Sequence, residues 1–176
     1  KAVTLTGSTD AGKKVASQAG RLIKKTVLEL GGSDAYIILE DADLELAAEM
    51  CVTSRLINNG QSCIAAKRFI VVKTVEKEFT RLFKQKMESK TFGDPFDPDI
   101  HLGTMARPDL RDELHQQVIS SIEAGAKCIL GGEIPEGKAA LYPPTIISNV
   151  KKGMPAYDDE LFGPVASIIS VKNEEE

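Results

Sequence analysis

The sequence predicts an α/β protein, with a parallel-rich sheet and flanking helices. Short apolar β-type runs alternate with stretches of helical periodicity along the whole chain, the pattern of a sheet covered by helices. Residues 2–30 read as one β-α-β unit, the connection that joins parallel strands. Gly, Pro, Asn and Asp fall at the boundaries between these stretches, where turn chemistry requires them.

Residues 2–6 alternate into a short strand. Gly7-Ser8-Thr9-Asp10 then makes a turn with helix-capping chemistry, and Val15, Ala16, Ala19, Leu22 and Ile23 recur at helical spacing. A second strand at 26–30 runs into Gly31-Gly32, which separates an N-terminal piece, residues 1–30, from a larger domain, residues 31–176. Residues 35–40 form an apolar strand. Asp41 or Asp43 caps a helix whose buried stripe is Leu44, Ala47, Ala48, Cys51, Val52 and Leu56, and which runs out at Asn58-Asn59-Gly60. After a strand at 68–73, Val75, Phe79, Leu82, Phe83 and Met87 mark one face of a helix, with Lys77, Arg81, Lys84 and Lys86 on the solvated face. Two prolines stiffen the loop 93–98. Pro108 suits the first turn of a helix with core positions Leu110, Leu114, Val118, Ile119 and Ile122, ended by Gly125. Strands follow at 127–130, 145–147 and 166–171, and no internal repeat or low-complexity linker interrupts the order.

Composition narrows the function. The 176 residues carry 22 basic and 26 acidic side chains, a net charge of −4. With a pI near 5.4 and its lysine pairs scattered, the chain has no basic face for nucleic acid. No apolar run approaches the roughly 18 residues of a membrane span, so no membrane partner is expected. Cys51, Cys63 and Cys128 are too few and too far apart for a disulfide framework, which points to a reducing, cytoplasmic setting. The first residues read directly as a strand, so no signal peptide is expected, and this abrupt start suggests a fragment. His101 and His115 lack partners at metal-ligand spacing, and no metal is expected.

Four segments could carry chemistry. Gly60-Gln61-Ser62-Cys63 places a thiol just past a helix end, whereas Cys51 lies on an apolar stripe and Cys128 inside a strand, so Cys63 is the candidate nucleophile. Glu29 ends a buried-looking strand; desolvation there would raise its pKa toward that of a general base, and the competing reading is an edge glutamate facing water. Gly7-Ser8-Thr9 opens a helix at a strand's carboxyl end, where free N–H groups suit a phosphate, although an ordinary capping turn looks the same. In Asp158-Asp159-Glu160-Leu161-Phe162-Gly163-Pro164 a carboxylate stands two residues from an aromatic ring. Such a pair could accept ribose hydroxyls and pack on a planar heterocycle, or be a solvated acidic loop with Phe162 in the core.

Thr6-Gly7-Ser8-Thr9, Leu28-Glu29-Leu30-Gly31-Gly32, Glu40-Asp41-Ala42-Asp43-Leu44, Asn59-Gly60-Gln61-Ser62-Cys63 and Glu160-Leu161-Phe162-Gly163-Pro164, in this order, resemble the aldehyde dehydrogenase superfamily over essentially the whole chain. Gly31-Gly32-Ser33-Asp34, Leu102-Gly103-Thr104-Met105-Ala106-Arg107 and Leu110-Arg111-Asp112-Glu113-Leu114-His115 resemble its succinate-semialdehyde dehydrogenase group. The resemblance implies oxidation of a small aldehyde with NAD or NADP, through a thiohemiacetal and a thioester on Cys63. It implies that Glu29 activates the hydrolytic water and that the Cys63 backbone N–H forms half of an oxyanion hole. Gly7 and Ser8 would lie at the cofactor pyrophosphate, Leu30 near the nicotinamide, and Glu160 with Phe162 at the nicotinamide ribose and ring.

The family's members are longer, so the resemblance also implies that residues 1–30 end a dinucleotide-binding domain and that residues 31–176 are most of a catalytic domain. The asparagine completing the oxyanion hole would precede Lys1, and a homo-oligomer is expected at full length. One departure concerns the substrate: some succinate-semialdehyde enzymes carry arginine six residues before the cysteine, and here that position is Ile57. Arg55 is two residues away, roughly 200° around a helix, and cannot simply replace it. Two other readings remain, a thiol hydrolase pairing Cys63 with His101 or His115, and a non-catalytic module that keeps the fold.

Overall fold

The computed structural model describes residues 1–137 and 139–176, which pack as two units, 1–32 and 33–176. In the first unit, strand β1 (Ala2–Thr6) leads through helix α1 (Thr9–Arg21) to strand β2 (Lys25–Glu29). The strands are parallel, in register from Ala2 opposite Lys25 to Thr6 opposite Glu29. Ser8 caps α1 by accepting the Ala11 N–H at 3.3 Å. Gly12 lies against Leu30 so closely that a Cβ there would meet the leucine methyls at 2.7 Å, and this contact seats the helix. Leu22 and Ile23, expected on the buried stripe, lie past the end of α1 and are 68% and 94% exposed; Ile23 turns the chain with φ 52°.

The second unit holds five strands in the order β3-β4-β7-β6-β5: β3 (Ala35–Ile38), β4 (Arg68–Val72), β5 (Lys127–Leu130), β6 (Thr145–Ser148) and β7 (Val165–Val171). Four run parallel, and β5 pairs antiparallel with β6 across a bulge. Helices α2 (Leu44–Leu56), α3 (Lys73–Glu88) and α4 (Pro108–Glu123), with the single turn α5 (Pro155–Asp158), complete it. Asp43, not Asp41, caps α2 by accepting the Leu46 N–H at 3.1 Å.

Alternation along the strands assigns the helices to two faces. Phe69, Val71, Ile146, Ala166 and Ile168 point to the side covered by α2 and α3, where Phe79, Phe83 and Met87 fill the core. Ile147, Val165 and Ile169 point to the other side, against Leu114 and Val118 of α4 and Tyr142. The Phe83 ring sits 4.9 Å from that of Phe69 and 5.4 Å from that of Phe79. Burying each such ring contributes about 1.5–3 kcal/mol. Ile119, expected in the core, is half-buried, because the inward positions of α4 are Leu114, Val118 and Ser121. Strand ends move by one or two residues from the sequence expectation; β3, for instance, stops at Ile38. No described helix is long and apolar enough to cross a membrane.

The central strands β4 and β7 are parallel neighbours. The segments that enter them, 61–67 and 159–164, therefore arrive side by side at the same edge of the sheet.

Candidate active site

The Cys63 segment is shaped by three successive left-handed residues after α2: Asn58 (φ 49°), Asn59 (φ 56°) and Gly60 (φ 75°). Asn and Gly are the residues that adopt this region at least cost. Asn58 Nδ2 donates to the Gln61 carbonyl, Asn59 Nδ2 donates to the Thr104 carbonyl, and Gln61 Oε1 accepts the Ala106 N–H, each at 2.9 Å. A Cβ built on Gly60 would overlap the Gly163 carbonyl, so only glycine lets the two loops meet. The turn closes with the Ala65 N–H donating to the Ser62 carbonyl at 3.2 Å, and Cys63 projects from it, exposed.

Two buried cations hold this turn from beneath. Lys67, 1% exposed, donates through Nζ to the carbonyls of Ser62 (3.2 Å), Cys63 (2.9 Å) and Ala65 (3.1 Å). The same ammonium lies 3.1 Å from Glu160 Oε1, an ion pair by distance in which that oxygen lies off the hydrogen-bonding direction. Arg55, fully buried, donates through Nη2 to the Gly60 carbonyl at 2.6 Å. Desolvation lowers its pKa to about 10, and the negative charge of Glu160 works against that shift.

Glu160 is thus joined to the cysteine turn. Its own carbonyl accepts Gln117 Nε2 at 3.2 Å, Leu161 is buried, and Phe162 is 38% exposed. Glu160 and Phe162 border a groove of about 410 Å³ that Leu110, Glu113, Gln117 and Pro155 also line; Cys63 is not part of it.

The other thiols lie in different surroundings. Cys51 is buried, which pushes its pKa up to about 12. Burial also raises Cys128, whose Sγ donates to the carbonyls of Leu130 (3.3 Å) and Gly131 (3.4 Å).

The remaining sequence candidates lie in the first unit. The Gly7 N–H donates to the Glu29 carbonyl at 3.0 Å, so the turn with Gly7 and Ser8 shares one strand end with Glu29. Leu30 packs against Gly12 and stays half-buried. Glu29 is exposed, which agrees with the reading of an edge glutamate facing water and not with the desolvated one: among the described residues this sheet has only two strands, so both are edges.

Sequence reasoning missed Lys67 as a site residue. Its signal was a lysine set among Ala65, Ala66, Phe69 and Ile70, where a cation requires a partner. Arg55 turns to Gly60 and does not take the place of Ile57, which is 47% exposed and lines a separate hollow of about 540 Å³ with Tyr36, Met50 and Ile64. The hydrogen bonds of both histidines lie elsewhere: His115 Nδ1 meets the Tyr142 hydroxyl at 3.1 Å and His101 Nδ1 meets Thr91 Oγ1 at 2.8 Å. Among the described residues no group of three or more His, Cys, Asp or Glu could hold a metal.

The sequence model described as "Aldehyde dehydrogenase family" matches residues 1–176. The succinate semialdehyde dehydrogenase [NAD(P)+] Sad of Escherichia coli is 50% identical over 174 residues, 99% of this chain and 38% of that protein. An NADP(+) succinate-semialdehyde dehydrogenase of Mycobacterium leprae is 48% identical over 98% of the chain and 38% of its own length. The chain therefore spans well under half the length of these relatives. Among solved structures, succinic semialdehyde dehydrogenase from Streptococcus pyogenes in complex with NADP+ superposes with a TM-score of 0.94 at 38% identity, covering 99% of this chain and 38% of that one. Lactaldehyde dehydrogenase from Escherichia coli reaches a TM-score of 0.96 at 38% identity, covering 98% and 36%.

Proposed function

Because the chain belongs to the aldehyde dehydrogenase family, we propose that the protein oxidises a small aldehyde, succinate semialdehyde foremost, to the carboxylic acid with NAD or NADP. The observation that carries this reading is Cys63, an exposed thiol on a turn whose backbone is held from both sides. In this reading residues 1–30 end the dinucleotide-binding domain and 31–176 supply the catalytic one.

The Cys63 thiolate attacks the aldehyde carbon. A C–S bond forms, the carbonyl π pair moves to oxygen, and the Cys63 backbone N–H donates to the resulting oxyanion. A bound nicotinamide would supply the hydride acceptor. Loss of hydride re-forms the C=O bond and leaves a thioester on Cys63. Glu29 takes a proton from water, the hydroxide adds to the thioester, and the C–S bond breaks with thiolate as leaving group. Glu160 fits the cofactor chemically: a carboxylate beside a groove, next to an accessible ring at Phe162, can accept two ribose hydroxyls. Gly7 and Ser8 stand where α1 begins; the Gly7 N–H is held by the Glu29 carbonyl, so the N–H groups suited to the pyrophosphate are those of Ser8 and the first helical turn, and Leu30 would border the nicotinamide.

The substrate carboxylate would need a cation other than Arg55, which is fully buried and turned to Gly60. The test is a rapid quench of the full-length protein with succinate semialdehyde and either NAD or NADP, followed by peptide mass mapping. A succinyl adduct on the peptide containing Cys63 and loss of NAD(P)H formation in Cys63→Ser are expected. Undiminished turnover in Cys63→Ser would overturn the mechanism. Equal efficiency with an uncharged aldehyde of the same length would overturn the choice of substrate.

A further inference from the structure

We propose that Lys67 is a positioning residue that ties the cysteine turn to the cofactor-binding carboxylate, so that Cys63 and Glu160 are set by one buried ammonium. The inference rests on the roles given above to Cys63 and Glu160. An ammonium has three protons, and four oxygens surround Nζ within 3.2 Å: the carbonyls of Ser62, Cys63 and Ala65 and Oε1 of Glu160. The three carbonyls take the hydrogen bonds. Glu160 receives the charge without a directed bond, since its Oε1 has no hydrogen-bond partner.

Two properties follow. The carboxylate is drawn toward the turn by Coulomb attraction in a poorly hydrated place, where such attraction is strong. Oε1 is buried against the ammonium, which leaves Oε2 as the oxygen to accept a ribose hydroxyl. Arg55 adds a second cation that fixes the Gly60 carbonyl at the start of the same turn and senses the Glu160 charge. The carbonyls of Gly60, Ser62, Cys63 and Ala65 are thus all held by buried cations. A lysine that only stabilised the fold would have no reason to place the nucleophile's own carbonyl and the ribose carboxylate on one nitrogen.

The test is a double-mutant cycle in the full-length protein, Lys67→Met with Glu160→Gln, read as KM for the dinucleotide and separately as KM for the aldehyde and kcat. Each single variant should raise the dinucleotide KM by roughly tenfold, the scale of one lost charge-assisted contact. In dinucleotide KM the double variant should be no worse than the poorer single one, and kcat should fall in Lys67→Met, which also releases the Cys63 carbonyl. Multiplicative effects in the double variant would overturn the proposal. Hydrogen exchange in Glu160→Gln gives an independent reading should Lys67→Met fail to fold. Faster exchange at residues 61–67 than in the parent supports the tie, and an unchanged pattern overturns it. A Glu160→Gln variant with faster exchange but unaltered dinucleotide KM would overturn the ribose role of Glu160 while keeping the link through Lys67.

Discussion

Exposure separates the three thiols. With its pKa near 12, Cys51 is thiolate in only about one molecule in ten thousand at pH 8, and burial holds Cys128 in the same direction. Limiting iodoacetamide at pH 8 should therefore alkylate Cys63 first, as read by peptide mapping; earlier labelling of Cys51 or Cys128 would remove Cys63 as the reactive thiol. Glu29→Gln in the full-length protein should slow release of the acyl group by at least about a hundredfold while leaving its formation nearly unchanged, because an amide keeps the shape and cannot take a proton from water. A stopped-flow burst of NAD(P)H followed by a much slower steady rate is the expected trace, and a parent-like steady rate would refute the role. At this scale the sequence singled out Cys63, Glu29, Glu160 and Phe162 as candidates because each departs from its local pattern. Lys67 was legible only as an anomaly, since nothing in the order of residues tells which carbonyls a buried ammonium will meet. The sequence left the exposure of Glu29 open between two readings, because the residues that flank a strand in sequence do not reveal how many strands lie beside it.

The segment from Asn58 to Gly60 is the element on which the site depends. Gly60→Ala should lower stability by about 1–3 kcal/mol from the left-handed backbone alone, and more because its methyl meets the Gly163 carbonyl. Thermal melting measures the loss, and a melting temperature equal to the parent's would show that the two loops can move apart. Asp43→Ala should cost about 1 kcal/mol by uncapping α2. The elements themselves were legible, since the apolar stripes of α2, α3 and α4 have helical period and the strands are bounded by turn residues. What periodicity did not give was strand order: the pairing of β4 with β7, nearly a hundred residues on, brings the cysteine turn and the Glu160 segment together, and no local pattern encodes that partner.

The two units of the chain differ in how much apolar surface they bury. In residues 1–32 the buried positions are Gly12 and Ala19, while Val3, Leu22, Ile23 and Val27 are exposed; in residues 33–176 two large clusters cover both sheet faces. Hydrogen exchange on the 176-residue chain should therefore show β1, α1 and β2 exchanging well before β4, β6 and β7. Uniform protection across both units would contradict this. The edge at which the cysteine turn and the Glu160 segment enter the larger sheet has an electrostatic consequence. Helix α2 runs toward that edge and ends there, so its macrodipole presents about half a negative charge to the turn. Arg55 in its last turn supplies the positive charge which that helix end favours, and Lys67, at the entry to β4, adds a second cation beneath the turn. A phosphate, which seeks the opposite helix pole, would find none from α2 here, and both cations are buried beneath the turn, out of its reach. Inorganic phosphate at concentrations that leave the ionic strength fixed should accordingly leave the alkylation rate of Cys63 unchanged.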